Sequence, residues 1–138
     1  MKIVVRYYTK TGNTEKLAHV VGETLEVNVK DISFDLNEKV DLLFLGSAVY
    51  AGGVDKRIET FLEKNAQQIG MVVNFSSAAA LHSTYKSIAK LCKKYNIALC
   101  DEEYTCRGSF GPFHKNHPNE LDFNKLRSFV TYIVKKYQ

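Results

Sequence analysis

Apolar and polar positions along this chain fall into blocks of two periods. Lys2 to Tyr8 (KIVVRYY) is a short run of β-branched and aromatic residues, the composition of a buried strand. From Thr14 to Leu25 the residues Leu17, Val20, Val21 and Leu25 share one face at helical spacing, which predicts an amphipathic helix. Val27 to Ile32 alternates weakly and suits a short edge strand. Val40 to Ser47 (VDLLFLGS) is nearly continuous in apolar residues, as a parallel strand covered on both faces requires, and is expected at the centre of the sheet. The helical period returns from Asp55, with Ile58, Phe61 and Leu62 opposite Lys56, Glu59 and Glu63, and Gly70 then marks a turn.

Met71 to Phe75 reads as another buried strand, Ser76 to His82 as a loop of small residues, and Ser83 to Tyr95 as a helix packing through Ile88, Leu91 and Cys92. Ile97 to Cys106 is the last expected strand, with Asp101-Glu102-Glu103 signalling a bend or an exposed stretch. Arg107 to Pro118 is a loop bearing glycine, proline and histidine. Asp122 to Tyr137 is the most regular helix, built on Leu126, Phe129, Val130, Ile133, Val134 and Tyr137, with Asp122 placed to cap its start. Strands alternating with helices demand right-handed crossovers, so the expected fold is α/β, a three-layer doubly wound five-stranded parallel sheet. There is no repeat, low-complexity tract or linker, and residues 1–138 are read as one domain. Ligands of such folds sit beyond the carboxyl ends of the strands, where Thr9 to Asn13, Ala48 to Val54 and Ser76 to His82 converge.

Composition narrows the class. The chain has 138 residues, 45% hydrophobic and 25% charged, with two prolines, the profile of an ordinary globular protein. Met1 to Tyr8 is far shorter than the roughly 20 apolar residues of a membrane span and lacks the marks of a signal peptide, so a cytoplasmic protein without membrane attachment is expected. Cys92, Cys100 and Cys106 are odd in number and form no C-x-x-C pair, which fits reduced thiols. The net charge of +4 is spread along the chain rather than gathered into an arm, so acidic partners are expected and nucleic acid is not.

Chemistry concentrates in Thr9-Lys10-Thr11-Gly12-Asn13-Thr14, which offers hydroxyls, an amide and a glycine between a strand end and a helix start. Backbone N–H groups at a helix N-terminus have no intrahelical partner, the helix dipole adds partial positive charge, and Gly12 permits close approach, so the segment can cradle a phosphate monoester. No nucleophile triad or paired carboxylates stand out, no catalytic residue is assigned, and the Gly-x-Gly-x-x-Gly dinucleotide fingerprint is absent. His114-x-x-His117 lacks a second ligand pair, and no metal site is expected.

The hexapeptide resembles, position for position, the flavodoxin phosphate-binding pattern [Thr/Ser]-x-Thr-Gly-x-Thr. The stretch Leu45-Gly46-Ser47-Ala48-Val49-Tyr50-Ala51-Gly52-Gly53 is similar to the second flavin loop of that family, and Ile58-Glu59-Thr60-Phe61-Leu62 to the helix that follows it. The resemblance covers the whole chain, with the phosphate loop as its one highly specific motif. It implies a flavodoxin-like sheet of order 2-1-3-4-5 and FMN as cofactor. It further implies cofactor contacts from Thr9, Lys10, Thr11, Gly12, Asn13 and Thr14, from Ala48, Val49, Tyr50, Ala51, Gly52 and Gly53, and from Ser76, Ser77, Ala78 and His82. Tyr50 is the candidate to stack on the flavin ring.

Two departures qualify the resemblance. The third loop, Ser76-Ser77-Ala78-Ala79-Ala80-Leu81-His82, lacks the tyrosine that covers the ring in the family, leaving His82 or Tyr85 as substitutes. The chain is also basic where flavodoxins are acidic, with Lys10, Lys56, Arg57, Arg107, His114 and Lys115 in or beside the loops. Positive charge near the ring favours anionic reduced flavin and is expected to raise its two-electron potential. The expected function is an electron carrier between redox proteins with acidic docking surfaces. The alternatives are an FMN-dependent oxidoreductase of the quinone or porphyrinogen type, and a flavin-free interaction domain.

Overall fold

The computed structural model describes residues 1–49, 53–78, 83–108 and 116–138. Strand β1 (Ile3–Tyr7) leads into helix α1 (Asn13–Leu25), then edge strand β2 (Val29–Asp31) and the long β3 (Val40–Ala48). Helix α2 (Lys56–Asn65) and a short 3-10 turn (Ala66–Gln68) return the chain to β4 (Ile69–Ala78), and α3 (Tyr85–Lys94), β5 (Tyr104–Arg107) and α4 (Glu120–Tyr137) complete it. The five strands pair in the order β2-β1-β3-β4-β5, all in parallel, as expected.

Two apolar clusters lie on opposite faces of the sheet. One joins Val5, Phe44, Val73 and Phe75 to Leu17 and Val21 of α1 and to Leu126, Val130 and Ile133 of α4. The other joins Leu43, Leu45 and Val72 to Ile58, Phe61 and Leu62 of α2 and to Ile88 and Cys92 of α3. Helices therefore cover both faces, and β3, buried at eight of its nine positions, is the centre that its apolar run predicts.

The edge strand and α3 are each shorter than the sequence reading by up to two residues at an end, and four other differences have a distinct physical cause. Gly70 lies inside β4 rather than in a turn, because a Cβ there would stand 2.7 Å from the Asp41 carbonyl oxygen of the adjacent strand; the 3-10 turn before it reverses the chain. Ser76, Ser77 and Ala78 extend β4 instead of opening a loop, since their backbone stays in register with β5. The last strand is shorter than Ile97 to Cys106: Leu99 bridges Val72, the acidic triplet leaves the ladder, and pairing resumes at Tyr104. Helix α4 starts at Glu120 with Asn119 as its N-cap, and Asp122 closes a capping box from the third position, accepting from the Asn119 N–H at 2.8 Å.

Candidate functional site

The first loop forms where β1 hands the chain to α1. Tyr8 N–H donates to the Gly46 carbonyl at 3.1 Å, continuing the β1–β3 pairing one residue past the strand, and Gly12 N–H then donates to Thr9 Oγ1 at 2.9 Å to close the turn. Gly12 is the N-cap of α1 with φ +92°, the left-handed region that glycine tolerates. Among the described residues no side chain caps the helix, and a Cβ built on Gly12 would meet nothing within 4 Å. Glycine is thus required for its backbone angle, and the space beside it is open.

Lys10 and Thr11 are exposed at the rim, whereas Asn13 and Thr14 are buried. Thr14 Oγ1 bonds the Ser77 hydroxyl at 3.1 Å and lies 3.4 Å from the Ser47 carbonyl. A hydroxyl has one proton, and here it is used within the protein. Thr14 therefore ties the base of the loop to the ends of β3 and β4. Gly108, following β5, packs against the same point: a Cβ there would lie 3.1 Å from both Asn13 Nδ2 and Ser77 Cβ.

The second loop leaves the end of β3, where Ser47 and Ala48 are buried and Val49 is half-buried. Tyr50, Ala51 and Gly52 lie outside the described residues, and Gly53 is half-buried at the approach to α2. Asp55 caps α2 through the Arg57 N–H at 2.9 Å, and its carboxylate also faces Lys10 Nζ at 3.7 Å and Arg57 Nη1 at 3.3 Å. The Arg57 N–H, above all, holds the Asp55 carboxyl below the usual carboxylate range; the Arg57 and Lys10 charges add to this, against an opposing effect of burial. Arg57 donates to the Tyr8 hydroxyl at 2.7 Å and lies 5.4 Å from the centre of its ring. Two of the cations singled out in the sequence thus answer one carboxylate, which mutes their field at the loop.

Ser76, Ser77 and Ala78 bring β4 to the same rim, with Ser76 Oγ donating to Thr105 Oγ1 at 3.0 Å. His82, His114 and Lys115 lie outside the described residues.

Sequence reasoning missed the polar layer beneath these loops. Asn74, fully buried in β4, donates from Nδ2 to Thr84 Oγ1 at 3.0 Å and to Glu103 Oε1 at 3.2 Å. Ser47 Oγ donates to Thr84 Oγ1 at 2.9 Å, and Ser83 Oγ donates to Glu103 Oε2 at 2.9 Å. The residues entering α3 are thereby fastened to β3, β4 and the turn before β5. An amide in the apolar run Met71-Val72-Val73-Asn74-Phe75 was the available signal. A buried polar group there needs partners, and these are the partners.

Fold and loop together define a doubly wound α/β domain with a glycine-led helix N-terminus at the point where strand order reverses. A flavodoxin-domain family model matches residues 4–96. The chain belongs to the flavodoxin domain family, and FMN is accordingly its cofactor. An uncharacterized protein of Methanocaldococcus jannaschii is 32% identical over 150 aligned positions, covering 98% of this chain and 99% of its own. A flavodoxin from the domain Archaea superposes with a TM-score of 0.77 at 17% identity, over 99% of this chain and 98% of that one. The rubredoxin oxygen:oxidoreductase of Desulfovibrio gigas contains the same fold (TM-score 0.75, 15% identity), matching 98% of this chain but 35% of that enzyme.

The loop geometry fits an FMN phosphate. Helix α1 has no side-chain cap among the described residues, Gly12 leaves its flank open, and the residues from Thr9 to Thr14 include no acid that would repel the anion.

Proposed function

We propose that this chain is an electron carrier, holding FMN without a covalent link and exchanging electrons with larger redox proteins. The bound flavin supplies the redox chemistry, and the protein supplies placement and electrostatics. In this reading Thr9 and Thr11 hydroxyls and the backbone around Gly12 and Asn13 bind the phosphate, with Lys10 at the rim and Thr14 bracing the turn from below. The backbone of Ala48, Val49 and Gly53 runs along the ring with Tyr50 stacking on it, and Ser76, Ser77, Ala78 and His82 border the other edge.

The observation that carries the proposal is the uncapped N-terminus of α1 behind a left-handed Gly12 with open space at its side. The match to an archaeal flavodoxin over 98% of that protein's length supports the carrier reading. A reducing, cytoplasmic location agrees with three unbridged thiols, Cys92, Cys100 and Cys106.

Titration of the apoprotein with FMN and with riboflavin, read by quenching of flavin fluorescence, tests the reading. Tight FMN binding with riboflavin weaker by about a hundredfold is expected, a loss of about 2.7 kcal/mol for the phosphate contacts. Equal affinities would place the phosphate elsewhere, and a protein that retains neither would end the redox reading. Exchange with protein donors, without turnover of quinones, separates a carrier from a small-molecule oxidoreductase.

A further inference from the structure

Helix α3 presents an unusual outer face. Its inner side packs Ile88 and Cys92 into the core, and its exposed side carries Lys86, Lys90, Lys93 and Lys94. Alone among the four described α-helices, it contains no acidic residue. Lys94 is neutralised by Glu59 of α2 at 2.7 Å, but Lys86, Lys90 and Lys93 form no ion pair among the described residues. Like charges three and four positions apart weaken a helix, and Lys86 stands in its first turn, where the helix dipole disfavours a cation. Lys93 and Lys94, in the last turn, suit the helix dipole, but local stability does not account for Lys86 and Lys90.

The stripe also begins at the functional end. Helix α3 begins two residues after Ser83, which borders the third loop, and Lys90 shares an open cleft of about 300 Å³ with Gly53 and Val54 of the second loop, with Lys56, and with the carboxylates of Asp55 and Glu59, which are paired with Lys10, Arg57 and Lys94. Lys56 likewise forms no ion pair among the described residues. Lys86, at the start of α3, and Lys56, at the start of α2, thus stand beside the two loops that border the flavin ring in the proposed carrier, and Lys90 and Lys93 extend the stripe along α3 over about 10 Å.

We propose that Lys56, Lys86, Lys90 and Lys93 form the docking surface for the acidic face of a redox protein. The inference rests on the carrier reading above and adds to it which face of the molecule meets the partner. Opposed charges across such a surface steer the encounter and fix its orientation, with an affinity that falls as salt is added.

An acidic [2Fe–2S] ferredoxin serves as the probe, mixed with apo and FMN-loaded protein at low ionic strength. A carbodiimide then joins lysines to carboxylates in direct contact, and mass spectrometry identifies the lysines joined. Crosslinks at Lys56, Lys86, Lys90 or Lys93 are expected, along with at least a tenfold loss of affinity in the K86E/K90E/K93E variant. A K125E/K135E variant, reversing two charges on α4, is expected to stay within threefold. Crosslinks concentrated on α4, equal losses per reversed charge in the two variants, or no salt-dependent complex would overturn the proposal. The visible spectrum reports FMN retention separately. Retained FMN without a complex defeats the docking surface alone, whereas an α3 complex without FMN upholds the surface and defeats the carrier reading.

Discussion

Thr14 Oγ1 lies 3.1 Å from Ser77 Oγ, so the first turn of α1 is bonded directly to the last residues of β4. Both groups are buried, and the contact fixes where the Thr9 to Thr14 loop stands relative to the centre of the sheet. Thr14→Val and Ser77→Ala are each expected to lower stability by about 1–3 kcal/mol, and their combination by less than the sum, with a coupling of about 1 kcal/mol. A urea-denaturation double-mutant cycle measures this. Strict additivity would mean that the hydroxyls do not depend on one another.

Gly46 faces a different constraint. A Cβ there would lie 2.5 Å from Phe75 Cε2 and 2.9 Å from Thr14 Cγ2, and both side chains are fully buried. Gly46→Ala is expected to destabilise the protein by about 1–3 kcal/mol through overpacking and to loosen the loop through Thr14. The urea midpoint and FMN affinity are expected to fall together. A stable variant with native FMN affinity would show that Phe75 can turn aside.

Asp55 combines a cap with a counter-charge, and two substitutions separate these roles. Asp55→Asn keeps an oxygen for the Arg57 N–H while removing the negative charge opposite Lys10 and Arg57. Stability is expected to change little, and the two-electron potential of bound FMN to rise, by the equivalent of roughly 1 kcal/mol for exposed, screened charges. Asp55→Ala loses the cap as well and is expected to cost about 1 kcal/mol of stability. A redox titration showing no upward shift in Asp55→Asn would remove these cations from the control of the flavin.

Burial pushes the Cys92 thiol up to about 11 and the Cys106 thiol to about 12, the latter also through Asp122. The Tyr7 hydroxyl rises to about 12, mainly by burial and then by its bond to Glu15. In the unfolded chain these groups lose protons from about pH 8.5 for cysteine and about pH 10 for tyrosine, so the native state then holds more protons. Stability is therefore fully present below about pH 8.5 and declines as pH rises towards 12. Urea midpoints are expected to be level from pH 6 to 8 and to fall steadily above 9. A flat profile up to pH 11 would contradict the protonation of these groups in the fold.

The architecture was legible because β3 and β4 are apolar on both faces while α1, α2 and α4 carry a regular helical stripe, and only a doubly wound sheet buries both patterns. The turn before α1 was legible because its backbone geometry depends on one glycine in a fixed place. Long-range side-chain pairing was not. Nothing local to Ser76-Ser77-Ala78 distinguishes a strand end from a loop until β5 is known to lie beside it. Asp101-Glu102-Glu103 resembled solvent-facing residues, yet Glu103 bonds Asn74 and Ser83, while Glu102 accepts from Lys136 at 2.6 Å. Lys10 looked free to meet a phosphate, and its ion pair with Asp55 depends on a contact across 45 residues of sequence.

Along β3 and β4, hydrocarbon residues at the amino ends give way to Ser47, Asn74, Ser76 and Ser77 at the carboxyl ends, and no buried side-chain nitrogen or oxygen among the described residues lacks a partner. The two halves of the sheet consequently face different evolutionary constraints. At the amino ends, Asp41 and Gly70 apart, one aliphatic residue can replace another as long as volume is kept. At the carboxyl ends each substitution orphans a neighbour, so change there must come in compensating pairs. Homologues of this chain are therefore expected to drift freely at the floor of the sheet and to covary at its roof.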